Sequence, residues 1–169
     1  MTTIRRAGLH DAAKLCLLGG ASFLESFAND HPGQDLVDHV TKDHSIAVYE
    51  AWLADADFAL WLVEEAQGAP IGYAALGPAN LNVATAGDIE LKRIYILYRW
   101  HRRGLGKALF DMVETEARAR RAGRLILAVY EVNHDAQRFY RQMGFSVIGA
   151  TRFLVGTVAF NDLVMGRAL

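Results

Sequence analysis

Residues 88 to 132 constrain the fold more than any other stretch, because a β-rich run, a glycine break, an amphipathic helix and a second β-rich run follow one another there. Asp88 to Leu97 reads as a strand, with Glu90, Lys92, Ile94 and Ile96 on one face if the pleat is regular. After Gly104, the residues Leu105, Ala108, Leu109, Met112, Val113 and Ala117 repeat at helical spacing, and Glu114 to Arg118 makes a favourable i, i+4 pair on the outer face. Gly123 stops this helix. Leu125 to Val132 is then an apolar run of the kind found in the middle of a sheet.

The rest of the chain extends this unit. Thr2 to Ala7 reads as a first strand, and Asp11 opens a helix whose end Gly19-Gly20 weakens. Gln34 to Ala54 is one broken helix or two short ones, interrupted near Asp43-His44-Ser45. Phe58 to Glu65 and Ile71 to Leu76, joined by Gln67-Gly68-Ala69-Pro70, form a hairpin. Asn80 to Gly87 is a loop, Asn133 caps a helix that ends at Gly144, and Phe145 to Ile148 and Asp162 to Met165 supply two last strands. The order β-α-α-β-β-β-α-β-α-β-β predicts a mixed sheet with helices packed on it. With 169 residues and a 52% apolar fraction, the chain has material for one core and too little for two ordinary domains.

Composition narrows the function. Cys16 is the only cysteine, which excludes an intramolecular disulfide framework and suits the reducing cytoplasm. No signal-peptide apolar region follows Met1 to Arg6, and runs such as Phe58 to Val63 are strand-length, so a membrane role is not expected. The net charge of −1 hides an asymmetry: residues 1–89 hold twelve acidic and four basic side chains, residues 90–169 seven and fourteen. Opposite charge in the two halves suits one anionic and one cationic ligand, or simply two solvated faces. The near-neutral total argues against a nucleic-acid surface, and Arg118, Arg120, Arg121 and Arg124 read as a solvated helix face. Asp35, Asp38, His39, Asp43 and His44 scatter around a helix axis, so no metal site is expected.

The segment His101-Arg102-Arg103-Gly104-Leu105-Gly106-Lys107 joins a strand to a helix N-terminus, where free N–H groups and the helix dipole favour an anion. It is not a dinucleotide fingerprint, because Leu109 stands where the third glycine belongs, and it is not a Walker loop, because His101 and Ala108 occupy that pattern's glycine and Ser/Thr positions. It resembles the pyrophosphate loop Q/R-x-x-G-x-G/A of the GNAT superfamily of acyl-CoA-dependent N-acyltransferases, with His101 departing from the first position. Glu90 to Leu97 is similar to that family's fourth strand, and Asn133 to Phe145 is similar to its N-x-x-A-x-x-F-Y-x-x-x-G-F signature. Glu90-Leu91-Lys92-Arg93-Ile94-Tyr95, Ser22 to Phe27 and Asn161 to Met165 also resemble the bacterial polyamine (spermidine/spermine) N-acetyltransferase branch.

The resemblance implies a single GNAT domain over 1–169: an α/β (α+β) fold with a mixed, mostly antiparallel sheet of about seven strands and about four helices. It implies acetyl-CoA as cofactor, bound by the backbone of Ile94, Tyr95 and Ile96, by Arg102, Arg103, Gly104, Leu105, Gly106 and Lys107, and by Asn133, Ala136 and Tyr140. Acetyl transfer to an amine needs a neutral nucleophile, donors for an oxyanion and a proton for the departing thiolate. By resemblance Tyr140 is the general acid, and without the motif it is an amphipathic core tyrosine. Glu90 is the implied base, and otherwise a strand-end charge paired with Arg93 or Lys92. Phe27 and Tyr73 are candidates to line the substrate channel, or core residues. The expected acceptor is a small-molecule amine, foremost a polyamine, with no nucleic-acid partner. The alternatives are a protein N-terminus or lysine, and an acyl-CoA-binding regulatory module without turnover. A homodimer paired through the sheet edge is compatible with this fold.

Overall fold

A computed structural model describes all 169 residues. The chain runs through β1 (Thr3–Arg6), α1 (Ala12–Phe27), α2 (Gly33–Asp43), α3 (Ile46–Ala54), β2 (Ala59–Glu64), β3 (Pro70–Pro78), β4 (Asp88–Ile96), α4 (Leu105–Ala119), β5 (Arg124–Tyr130), α5 (His134–Gln142), β6 (Ser146–Val155) and β7 (Val158–Ala168). The seven strands form one sheet in the order β1-β2-β3-β4-β5-β7-β6. Every neighbouring pair is antiparallel except β4 and β5.

Helices cover both faces. On one, α4 and α5 pack Leu109, Phe110, Val113 and Tyr140 against Trp61, Val63, Leu76, Leu91, Leu125, Leu127 and Met165. On the other, Leu15, Leu18 and Tyr49 of α1 and α3 cover Leu60, Leu62 and Tyr73. Strand β2 is buried at all six positions because its alternate residues serve opposite cores. Burial of each large side chain contributes roughly 1.5–3 kcal/mol, so neither helical layer is dispensable.

Two expectations change, and of the two alternatives for residues 34–54 one holds. Helix α1 continues through Gly19-Gly20 to Phe27, because those glycines serve packing: a Cβ on Gly19 would collide with the His44 ring and the Tyr49 hydroxyl. The stretch 34–54 is two helices, α3 starting where the Ser45 hydroxyl accepts a bond from the Val48 N–H. The last two strands are ten and eleven residues long instead of short runs. Their ladder extends to a turn at Gly156 (φ 57°), so backbone pairing carries polar residues that no apolar pattern marks.

Candidate active site

Strands β4 and β5 pair only at Asp88–Glu90 with Arg124–Ile126. Beyond that vertex they part, leaving the facing edges of Leu91–Ile96 and Leu127–Tyr130 without partners in the sheet. A β-bulge drives the parting: on β3, Ala75 faces Arg93 and Leu76 faces Leu91, so Lys92 is the extra residue. The bulge also corrects the expected regular pleat. Ile94 and Ile96 join Ile89 and Leu91 on the α4 face, while Arg93 and Tyr95 turn to the α1–α3 face. Leu97 donates its N–H to the Ile71 carbonyl at 2.9 Å. Alternation then directs the amide groups of Ile94 and Ile96 into the gap and those of Tyr95 toward β3. The backbone of Tyr95 is therefore spent on the sheet, contrary to expectation.

The glycine loop closes the open end of the gap. His101 N–H donates to Tyr98, and the next backbone donor is Ala108, to Gly104; the six N–H groups from Arg102 to Lys107 bond nothing in the protein. Gly104 holds the left-handed conformation (φ 77°) that turns the chain into α4, and a Cβ there would meet open space. This is an anion nest at the positive end of a helix. His101 takes no part in it by its side chain: Nε2 donates to the Ile96 carbonyl at 2.6 Å, tying the loop to the end of β4. Lys107 is exposed and bonded to Asp111, and Arg103 reaches back to the Arg99 carbonyl.

Helix α5 lines the gap from the α4 side. The Asn133 carboxamide accepts the Ala136 N–H at 3.1 Å, so its oxygen is a helix cap. Tyr140 is 8% exposed between Phe139 and Phe145, and its hydroxyl makes no hydrogen bond. Burial, with a smaller contribution from nearby Tyr95, holds its pKa well above the ordinary phenol value. Gln137, buried and unremarked in the sequence, donates to the carbonyls of Tyr130 and Glu131 and so fastens α5 to the end of β5.

Glu90 lies at the vertex, 6% exposed. One carboxylate oxygen accepts from the Asn80 N–H and the Lys92 ammonium, each at 2.9 Å. Tyr73 is fully buried, its hydroxyl receiving that of Tyr49 at 3.1 Å, and is core instead of channel wall. Phe27 does reach an open aromatic group with His31, Tyr130 and Phe160. Three carboxylates, Asp30, Glu131 and Asp162, act electrostatically on Tyr130 and help raise its pKa after burial. Among the acidic and histidine residues around α2, Asp35 engages Thr157, and His39 engages Phe23 and Asp43.

Arg93 stands at the centre of the opposite layer. It donates to the Tyr49 hydroxyl and the Asp43 carbonyl, each at 2.8 Å, and lies 4.6 Å over the Trp52 ring. Its N–H also approaches His44 Nδ1 at 3.3 Å, a nitrogen that lies 3.0 Å from the Tyr49 hydroxyl. Arg93, Gln137 and Asp162 were all missed as site-shaping residues, because their roles depend on partners far away in sequence.

Residues 21–145 match the model of the acetyltransferase (GNAT) family. An uncharacterized N-acetyltransferase of Mycobacterium tuberculosis is 33% identical over 138 residues, covering 77% of this chain and 85% of that one. Among solved structures, the PaiA N-acetyltransferase of Thermoplasma acidophilum in complex with coenzyme A has a TM-score of 0.82 at 18% identity, covering 100% and 99% of the two chains. YncA of Salmonella typhimurium with acetyl-CoA has a TM-score of 0.74 at 21% identity, covering 100% and 94%. With the splayed strands, the anion nest and this family match together, the chain belongs to the acetyltransferase (GNAT) family and is an acetyl-CoA-dependent N-acetyltransferase.

Proposed function

We propose that the acceptor is a small cationic primary amine, with polyamines as its best representatives. The observation that carries this reading is the convergence of Asp30, Glu131 and Asp162 around Tyr130, beside Phe27 and Phe160, at the mouth of the gap on the face away from α4 and α5. Carboxylates attract ammonium groups, and aromatic faces receive them by cation–π contact. The acidic group draws on both halves of the chain, not on the acidic N-terminal half alone.

Acetyl-CoA supplies a thioester carbonyl open to attack. The free amides of Arg102 to Lys107 suit its pyrophosphate, and the gap-facing amides of Ile94 and Ile96 suit the amides of its extended arm. Tyr140 is the proton donor: its hydroxyl bonds no protein group, and burial of the residue keeps it protonated at neutral pH. Glu90 fits the role of proton acceptor less well, because one of its oxygens is already taken by the Asn80 N–H and the Lys92 ammonium. Its remaining oxygen keeps it in the reading as a negative charge at the vertex.

The test is thiol release from acetyl-CoA with spermidine and n-butylamine at rising ionic strength. The Debye length falls from about 10 Å at 0.1 M to about 3 Å at 1 M, so KM for spermidine should climb more steeply than KM for the monoamine. Equal salt dependence, with spermidine no better than butylamine at low salt, would remove the polycation reading and leave a protein N-terminus or lysine as the acceptor to pursue.

A further inference from the structure

We propose that Asp162 is the group that takes the proton from the acceptor ammonium, an assignment that rests on the amine-acetylating reading above. Four carboxylates stand on the strands: Glu64, Asp88, Glu90 and Asp162. Three are neutralised, Glu64 by Arg5 and Lys14, Asp88 by Arg124 and Glu90 by Lys92. Asp162 accepts no hydrogen bond and meets no cation. Its oxygens keep contact with solvent, so it is the strand carboxylate left free to exchange a proton.

Asp162 is held in the middle of three paired strands, opposite Tyr130 on β5 and Thr151 on β6. Its neighbour Leu163 packs into the α4 core, so alternation turns Asp162 to the other face, the face of Tyr95. Tyr95, on that face, stacks on Tyr73 and is within electrostatic reach of both Asp162 and Tyr140. An amine beside Tyr95 thus has a proton acceptor, Asp162, on the sheet face it shares, and a proton donor, Tyr140, on the α5 side. The charged and titratable groups around Asp162 are Tyr95 from β4, Tyr130 and Glu131 from the end of β5, and Asp30 and His31 from the segment after α1. Burial first and Glu131 second raise its pKa to about 6, still low enough for the carboxylate to be ionised at neutral pH and high enough to make it a better base than an ordinary aspartate.

Asp162 takes one proton from the ammonium, the freed nitrogen pair forms the C–N bond as the C–S bond breaks, and Tyr140 gives its hydroxyl proton to the sulfur. The second nitrogen proton, lost as the amide forms, restores Tyr140 through water, and the proton on Asp162 leaves to solvent.

Two amines of similar size separate this role from a structural one. Butylamine is an ammonium at neutral pH and needs a base, whereas 2,2,2-trifluoroethylamine is largely free amine already. Asp162→Asn should lower kcat/KM for butylamine on the order of 10²–10⁴-fold at pH 7, and that for trifluoroethylamine within about tenfold. Acetyl-CoA affinity measured by calorimetry should stay at the parental value. Glu90→Gln should affect the two amines alike. An equal loss with both amines in Asp162→Asn, or no loss, overturns the assignment, and an amine-dependent loss in Glu90→Gln transfers the role to Glu90. Absence of thiol release by the parent with either amine would sink the small-amine reading itself, and this role with it.

Discussion

Tyr140 illustrates how much one position can be asked to do. Its ring is part of the core, while its hydroxyl bonds no protein group and keeps contact with solvent, which leaves the proton free for transfer. Replacing it by Phe keeps the packing and removes the proton, so kcat should fall by about 10²–10⁴-fold while acetyl-CoA affinity is nearly unchanged. Unaltered turnover under conditions where chemistry is rate-limiting would return Tyr140 to a packing role. Residue identity was enough to single out Tyr140 and Glu90, because each sits in a recognisable local motif. It was not enough for Asp162, whose significance is the absence of a partner. Lack of a partner is a property of the folded neighbourhood: only the register with Tyr130 and the face it shares with Tyr95 make it visible.

The glycine loop and α4 form the element most readable in advance, since a turn, an amphipathic stripe and a helix N-terminus are all local. The bulge beside the splay was not readable, because it depends on one extra residue, Lys92, in the pairing of β4 with β3. The two glycines of the loop serve different ends. Gly104 has a left-handed φ of 77°, where a β-branched residue is strained; Gly106 is already in the helix, where a Cβ would only brush Phe139 at 3.7 Å. Gly104→Val should therefore weaken acetyl-CoA binding by calorimetry at least tenfold, about 1.4 kcal/mol, and Gly106→Ala should cost less. Equal affinity of Gly104→Val and the parent would mean that the anion nest is not the pyrophosphate site.

Across the whole molecule, the α1–α3 layer is tied to the sheet by the group of Arg93, Tyr49, Tyr73 and His44, under which Gly19 leaves the needed space. That group makes stability depend on acidity. Burial first, and the Arg93 charge second, push the His44 pKa down to about 3, and burial lowers His39 as well. An unfolded histidine titrates near 6.5, so between about pH 6.5 and 3 the unfolded chain holds a proton that the folded chain refuses. Stability from His44 is complete above about pH 6.5 and declines as the pH falls, by up to about 1.4 kcal/mol per pH unit well below 6.5. Asp162 works in the opposite sense, since its raised pKa lets the folded chain hold a proton between about pH 6 and 4, whereas Asp11, lowered to about 2 beside Arg5, matters only below about pH 4. Urea unfolding at pH 7 and pH 5 should show a clear loss for the parent and a larger one for Asp162→Asn. In His44→Asn, which keeps an acceptor for Arg93 but no titrating ring, the difference between the two pH values should shrink. If it stays as large as in the parent, the acid sensitivity originates outside this layer and the Arg93 group is only a mechanical tie.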